Sequence, residues 1–485
     1  MTDDSINRRT VLAGLSAMGA ASLAGCSVSQ EGNDGGGDGG DGGGGGDGGG
    51  GGDGGDGGDG GSGEQREGAV TLDSVHVVAA DNQTGPFNYL FTSANKMTQI
   101  ALDEIEAAGG PLEADVTFDF QDTAVNPANW KEAMTKGVFS DNAAFIYGSA
   151  TNEVVAHREW IKDNEIPVVT GWPGGLDLRQ YGGDRGNPDD LSQHDWIWRT
   201  IVGDSLTQLG AAQWAVETKG WTRFGVFHGA SSDQAVTADA FIDALESKDG
   251  TVAEEIQFQE GKTNYGAELD RMPWDDIDAV WIMTTVDTGI GFMRQWGNSE
   301  YGDKPAVLQE WARPQSFIDQ TKEVLQDKEI YTMAGTPATD DPLYQEGKGK
   351  FEERYPDSDW YPQFTLPPYD AAIVACLALH RAGTLGNLPA DPSIEEIRRE
   401  IERNIGHVGR PPGTEVTSFA DGKAALDDGD DINYQGYYST CDFTEFGNVL
   451  VDVNMFKYPT SDQETYQQVA TIPPEDLQSL TDGNY

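Results

Sequence analysis

The sequence predicts an α/β fold made of two Rossmann-like lobes, each a parallel sheet with helices on both faces. Three observations predict it. Strand-like and helix-like periodicities alternate along the chain, and the alternation starts again near residue 197. Roughly 420 residues follow Glu64, more than one ordinary core accommodates. Repeated strand–helix units place parallel strands side by side with helical crossovers, and two such sets make two lobes.

The N-terminus stands apart from that fold. Arg8-Arg9 precede an apolar run from Val11 to Leu23, and Leu23-Ala24-Gly25-Cys26 follows. A bilayer span needs about 20 apolar residues, so this run is too short to be one. It suits the apolar region of an export signal, and the paired arginines mark the twin-arginine type. Leu-Ala-Gly-Cys resembles the lipobox of bacterial and archaeal lipoproteins, which makes Cys26 the expected lipidated residue. A buried Cys in a first helix is the competing reading, and the order of segments argues against it. Residues 1–25 are therefore expected to be a signal peptide and 26–68 a tether. From Glu31 to Gly63 the chain is almost all Gly and Asp, with nothing apolar to offset its ordering entropy. Such a tether has a root-mean-square reach of about 30 Å and a taut limit of about 110 Å.

In the folded part, residues 74–80 read as a half-buried strand, stopped by Thr84-Gly85-Pro86. Met97, Ala101, Ile105 and Ala108 share one helix face, and Gly109-Gly110-Pro111 ends that helix. Val116, Phe118 and Phe120 alternate as a strand does. Pro127 opens a helix at its first position. Residues 143–148 form a strand, 153–164 a helix, and 166–170 a strand before Gly171-Trp172-Pro173-Gly174. In the second set, Asp204 or Ser205 caps a helix reaching Thr218. Strands at 223–228 and 252–258 flank a helix at 234–248. Strands at 279–284 and 330–334 flank a helix at 288–296. Helices at 342–354, 366–383 and 393–403 follow. Residues 432–438 and 449–456 read as a closing hairpin.

Composition narrows the function. Lys and Arg number 31 against 82 Asp and Glu, for a net charge of −51. That surface repels nucleic-acid phosphates and anionic lipid. It also repels itself at low ionic strength, and a haloarchaeal source explains it most simply. There is no Gly-x-Ser-x-Gly elbow, no His-Glu-x-x-His and no Cys-x-x-Cys, and Gly289-Ile290-Gly291 lacks the rest of a dinucleotide loop. The six His are scattered and read as structural. No enzyme, metal or cofactor is expected. Cys376 and Cys441 leave open both a disulfide, as exported proteins often carry, and two separate buried thiols.

The order of short motifs then matters. Thr84-Gly85-Pro86-Phe87 follows the first strand, and Ala101-Leu102-Asp103-Glu104-Ile105-Glu106-Ala107-Ala108-Gly109-Gly110 forms the first helix and turn. Gly148-Ser149-Ala150-Thr151, Ile166-Pro167-Val168-Val169, Trp198-Arg199-Thr200 and Tyr434-Gln435-Gly436-Tyr437 follow in turn. Over residues 70–460 this series resembles the type I periplasmic binding proteins, in the branch of leucine/isoleucine/valine-, amide- and urea-binding receptors of ABC transporters. The resemblance implies two lobes joined by three hinge crossings. Lobe 1 would be 69–196 with 338–430, lobe 2 would be 197–337 with 431–460, and 461–485 would be a tail. Residues 179–194 depart from the family pattern and read as a surface insertion.

Site residues follow from the resemblance and from position. Ser149, Ala150 and Thr151, at a helix start, would hold the polar head of a ligand, where free N–H groups favour a carboxylate or carbonyl oxygen. A plain helix cap is the alternative. Trp172 and Pro173 stand where relatives place small hydroxyls, so Trp172 would wall the cleft with apolar area. In lobe 2, Asp233 and Asp287 follow strands and would meet a ligand amine. Trp311 and Thr84 would reach the cleft by position. No Arg or Lys falls on the matched positions, which disfavours a strongly anionic ligand. The expected protein is a monomeric, lipid-anchored receptor on the outer face of the cell membrane. It would pass a neutral amino acid, amide or urea-like solute to ABC permease and ATPase subunits. The alternative is the same fold feeding a membrane chemotaxis transducer.

Overall fold

A computed structural model describes residues 70–85, 87–175 and 190–480, without the side chains of Ser232, Asp233 and residues 478–480. The readings for the export signal, Cys26, the tether and most of the insertion lie outside the described residues.

Two sheets organise the chain. The first is five-stranded and wholly parallel, in the order β2-β1-β3-β4-β5. Its strands are β1 (Ser74–Asp81), β2 (Asp115–Asp122), β3 (Phe145–Tyr147), β4 (Val168–Thr170) and β5 (Ile197–Arg199). The second is seven-stranded, in the order β14-β13-β10-β9-β8-β6-β7. Here β6 (Arg223–Gly229), β7 (Thr251–Phe258), β8 (Ala279–Met283), β9 (Ala306–Leu308) and β10 (Ile330–Gly335) run parallel. A short parallel pair, β11 (Thr414–Val416) with β12 (Ile432–Tyr434), lies apart. Antiparallel β13 (Val453–Lys457) and β14 (Gln467–Ile472) complete the second sheet.

The central strands are buried along almost their whole length, as parallel strands covered on both faces must be. Their continuous apolar runs made them legible. The helix Pro127–Phe139 starts as predicted: Asn126 accepts hydrogen bonds from the N–H groups of Ala128 and Asn129, and Pro127 needs no partner there. The helix Pro342–Arg354 is capped in the same way by Asp341.

Three crossings join the sheets, after β5, after β10 and before β13. Arg199, 1% exposed, ties the first to the third: its guanidinium donates to Asn448 Oδ1 at 3.0–3.1 Å and to the Pro173 and Gly174 carbonyls. Tyr438 ties the third to the second through a 2.7 Å bond from its hydroxyl to the Gly335 carbonyl. Asp370, fully buried in the helix Pro362–Thr384, accepts from the Tyr434 hydroxyl and from the N–H groups of Tyr437 and Tyr438. Burial raises its pKa to about 7, against the pull of these donors.

The end of the chain differs from expectation. Residues 432–438 and 449–456 do not pair. β12 lies beside β11, next to lobe 1 helices, so the third crossing falls after residue 438 and not at 430. β13 instead pairs with β14, drawn from residues expected to be a tail. The cause lies in the sequence: Gln467–Ile472 carries the β-branched Val469, Thr471 and Ile472 on a sheet edge that the hairpin reading left empty. Cys376 and Cys441 are both buried free thiols, so the disulfide does not form.

Candidate functional site

Ligands on parallel sheets meet the carboxyl ends of the strands. Here those ends face each other across the gap between the lobes. The Asp204 N–H of lobe 2 bonds the Gly174 carbonyl of lobe 1 at 2.8 Å, which fixes the closeness of the two rims. Gly175, Thr151 and Asp204 meet at this point, since a Cβ on Gly175 would stand 3.4–3.5 Å from both side chains.

On lobe 1, the helix Thr151–Asp163 begins at the end of β3. Its N-cap N–H is satisfied from within. The Ala150 N–H donates to Glu153 Oε2 at 2.8 Å, and Glu153 is only 1% exposed. Ser149 holds φ of 83°, and its Oγ accepts the indole N–H of Trp130 at 2.8 Å. Both Ser149 and Ala150 thus lend their expected polar groups to the lobe itself. Thr151 is partly exposed at the rim.

Trp172 follows β4 and is half-buried in an aromatic stack. Its ring stacks on Phe91 at 3.7 Å with parallel planes, and on Phe364 at 5.7 Å. The loop fits because Gly171 has no side chain: a Cβ there would lie 2.6 Å from the Pro368 nitrogen. Pro367 and Pro368, inside their helix, bring no N–H groups, so the carbonyls of Gln363 and Phe364 lose their helical donors. Thr200 Oγ1 donates to the Pro367 carbonyl and Tyr147 to that of Pro368. Pro173 is buried, with its carbonyl on Arg199. Thr84 turns the other way, onto Asp122 Oδ2 at 2.7 Å, so its hydroxyl braces the β1–β2 edge.

On lobe 2, Asp287 is exposed in the first turn of the helix Val286–Asn298. It lies near Tyr89 of lobe 1, whose hydroxyl pKa is raised by burial and then by Glu310 and Asp287. Asp233 sits in the first turn of the helix Ser232–Glu246, and its side chain lies outside the described residues. Trp311 is not on the cleft surface. It is 6% exposed, packs on Gly289 and Phe317 in the lobe 2 core, and donates its N–H to the Ile282 carbonyl at 3.1 Å.

Its neighbour Glu310, which sequence reading passed over, takes the place instead. Glu310 follows β9 directly. Desolvation, and then repulsion from Asp204, push its carboxyl up to about 8, while Gln363, Gln309 and Arg313 pull the other way. Gln363 comes from lobe 1, at the start of the helix Pro362–Thr384. Gln363 Oε1 and Glu310 Oε2 are both buried without a hydrogen-bond partner. Arg313 lies 4.1 Å over the Phe456 ring, and burial lowers its pKa. Tyr89 and Tyr361 stand edge to face at 5.6 Å beside the same gap. The signal that could have found Glu310 is its position, the second residue past a strand end in Gln309-Glu310-Trp311.

Among the described residues, His76, Asp119 and Asp141 form the grouping able to hold a metal. It lies away from the strand ends, and Lys136 already pairs with Asp141.

Two lobes closing carboxyl strand ends over a polar gap define a solute-binding receptor fold. A family model described as periplasmic binding protein matches residues 74–399, about two-thirds of the chain, and the chain belongs to that family. Among solved structures, the leucine-binding protein LivK of Thermotoga maritima is similar at 18% identity, with a TM-score of 0.61, over 83% of this chain and 99% of that one. The branched-chain amino acid binding protein LivJ of Streptococcus pneumoniae, solved with isoleucine, is similar at 17% identity and 0.61, over 83% and 100%. A solute-binding protein of Rhodopseudomonas palustris HaA2, solved with p-hydroxybenzoic acid, is similar at 14% identity and 0.63, over 84% and 100%. These likenesses show the fold. Comparison with curated proteins gives no match.

Proposed function

We propose that this chain is the extracytoplasmic substrate-binding component of an ABC importer, tethered to the membrane through Cys26 and closing its lobes on a small organic solute. The observation that carries the reading is the match of residues 74–399 to the periplasmic binding protein family, with Gln363 and Glu310, from the two lobes, acting on each other. Hinge closure driven by tighter binding to the closed state is the mechanism such a pair supports. The solved neighbours named with isoleucine and p-hydroxybenzoic acid give the size of solute to test first. The residues proposed to meet it are Thr151, Trp172, Asp287, Glu310, Gln363 and Tyr89.

The test is small-angle scattering of the purified full chain with a panel of amino acids, amides, aromatic acids and organic amines. A ligand that shrinks the radius of gyration and raises the melting temperature supports the reading. A panel that leaves both unchanged, with a folded protein, overturns it. The anchor is tested separately: Cys26→Ser should release the protein from membranes or leave it unprocessed, and normal trimming with membrane retention would remove that part.

A further inference from the structure

We infer that the cleft selects a positively charged organic solute, an amine or quaternary ammonium compound, over any solute whose recognised group is a carboxylate. This assignment rests on the binding-protein reading above and narrows its ligand.

The first ground is that the turn between β3 and the helix Thr151–Asp163 already spends its N-cap N–H and its hydroxyl on the lobe itself. A helix start at a strand end is where a ligand carboxylate would be received. Here the Ala150 N–H is held by the chain's own Glu153 carboxylate, and the Ser149 hydroxyl receives the Trp130 indole. A ligand carboxylate at this point would have to compete with the Glu153 carboxyl for the Ala150 N–H.

The second ground lies across the gap. Glu310, Asp204 and Asp287 bring carboxyl groups to one rim, and Arg313, over Phe456, is the guanidinium that acts on Glu310. Arg199 is engaged with Asn448 and two carbonyls. More telling than the charge count is the pair of buried oxygens without donors. Glu310 Oε2 comes from lobe 2, and Gln363 Oε1 comes from lobe 1 on a side chain 4% exposed. Both are acceptors. A solute that inserts between them on closure must supply positive charge or N–H groups, and a carboxylate supplies neither. Tyr89, which feels the Glu310 charge, and Tyr361 beside it bring aromatic rings to the same place, and π faces attract cations and not anions.

The high pKa of Glu310 is what such a site looks like before its cation arrives. A bound cation favours the ionised carboxyl, so binding and proton release are linked. Groups facing Glu310 are Asp204, Arg313, Gln363, Gln309, Tyr89 and Tyr438.

The experiment is titration calorimetry of the full chain with choline, tetramethylammonium and putrescine, against isoleucine and benzoate. Choline and tetramethylammonium carry a charge that does not titrate. At least one cation should bind about a hundredfold tighter than either carboxylate, and its affinity should rise from pH 6 to 8 with proton release. Glu310→Gln should weaken that cation about tenfold or more and flatten the pH response. Gln363→Met, which removes the second oxygen without touching a charge, should weaken it less and keep the pH response. Tighter binding of isoleucine or benzoate overturns the inference while leaving the binding-protein reading intact. Failure of every solute to bind, with the panel above also silent, overturns both. Cation binding unaffected by either variant overturns the role given to this pair of oxygens.

Discussion

Asp370 and Glu310 are both carboxyl groups lodged beside the hinge, and the chain supplies them in opposite ways. Asp370 receives a hydroxyl and two backbone N–H groups, from residues that approach closely because Gly436 has no side chain to stand in the way. Glu310 receives a glutamine from the other lobe and keeps one buried oxygen without a donor. Both have raised pKa values, since burial outweighs their bonds in each case. The difference teaches where structure ends and binding begins: a buried acid saturated by its own chain holds the fold, and one left short is held ready for something else.

The largest effect that would break this comparison is Asp370→Ala. It strands the Tyr434 hydroxyl and two N–H groups inside the third crossing. At about 1–3 kcal/mol for each lost partner, less the relief of removing a buried charge, stability should fall by about 3 kcal/mol. Asp370→Asn keeps an acceptor and should cost about half as much. Denaturant unfolding at pH 7 measures both. A loss below about 1 kcal/mol for the alanine variant would mean the crossing is held by other contacts.

A pH series sharpens the contrast. For an acid whose folded pKa is raised, the native state holds a proton that the unfolded chain has released. The stability this provides is full below the unfolded pKa, near 4, and is lost as pH rises through the folded value. Asp370 predicts loss up to about pH 7 and Glu310 up to about pH 8. The protein should therefore be more stable near pH 5 than near pH 8.5. Glu310→Gln should reduce the slope between about pH 4.5 and 7, where both acids contribute, abolish it between about 7 and 8, and leave the variant more stable at pH 8.5. Because Glu310 is partly exposed, the gain should be on the order of 1–2 kcal/mol after screening. A slope that rises with pH in the wild type would mean that neither carboxyl is protonated in the fold.

Much of this was legible in the sequence, and the reasons are local. Continuous apolar runs announced the buried strands of both sheets, and Pro127 announced the helix it opens. Trp172 was legible only as a large apolar side chain at a strand end, and its stacking on Phe91 and Phe364 depends on elements distant in sequence. What failed depended on partners distant in sequence. Ser149 carries a hydroxyl suited to a ligand, and only Trp130, placed beside it by the fold, turns it inward. Trp311 drew attention as the large residue of its turn. Its indole found the Ile282 carbonyl, and the adjacent, less conspicuous Glu310 faced the gap. The closing hairpin was misread because two candidate strands near the end compete for one edge, and pairing is decided by the sheet and not by the segment.

The smallest effect concerns Ser149, on the saturated side of the cleft. Its backbone holds φ of 83°, a conformation that costs a residue with a Cβ roughly 1 kcal/mol and costs glycine little. Its hydroxyl also accepts the N–H of Trp130, which is fully buried. Ala and Gly both remove that acceptor, so each strands the same indole. They differ in backbone freedom: Ala keeps the strain and Gly relieves it. Ser149→Ala should therefore lose about 1–2 kcal/mol, and Ser149→Gly about 1 kcal/mol less. Neither should change solute affinity by more than about twofold, because the hydroxyl already belongs to Trp130. Thermal unfolding and calorimetry on both variants separate the contributions. Equal losses would show that the turn is unstrained. A tenfold loss of affinity in Ser149→Ala, with the fold intact, would return Ser149 to the ligand and dissolve the distinction between the two sides of the cleft.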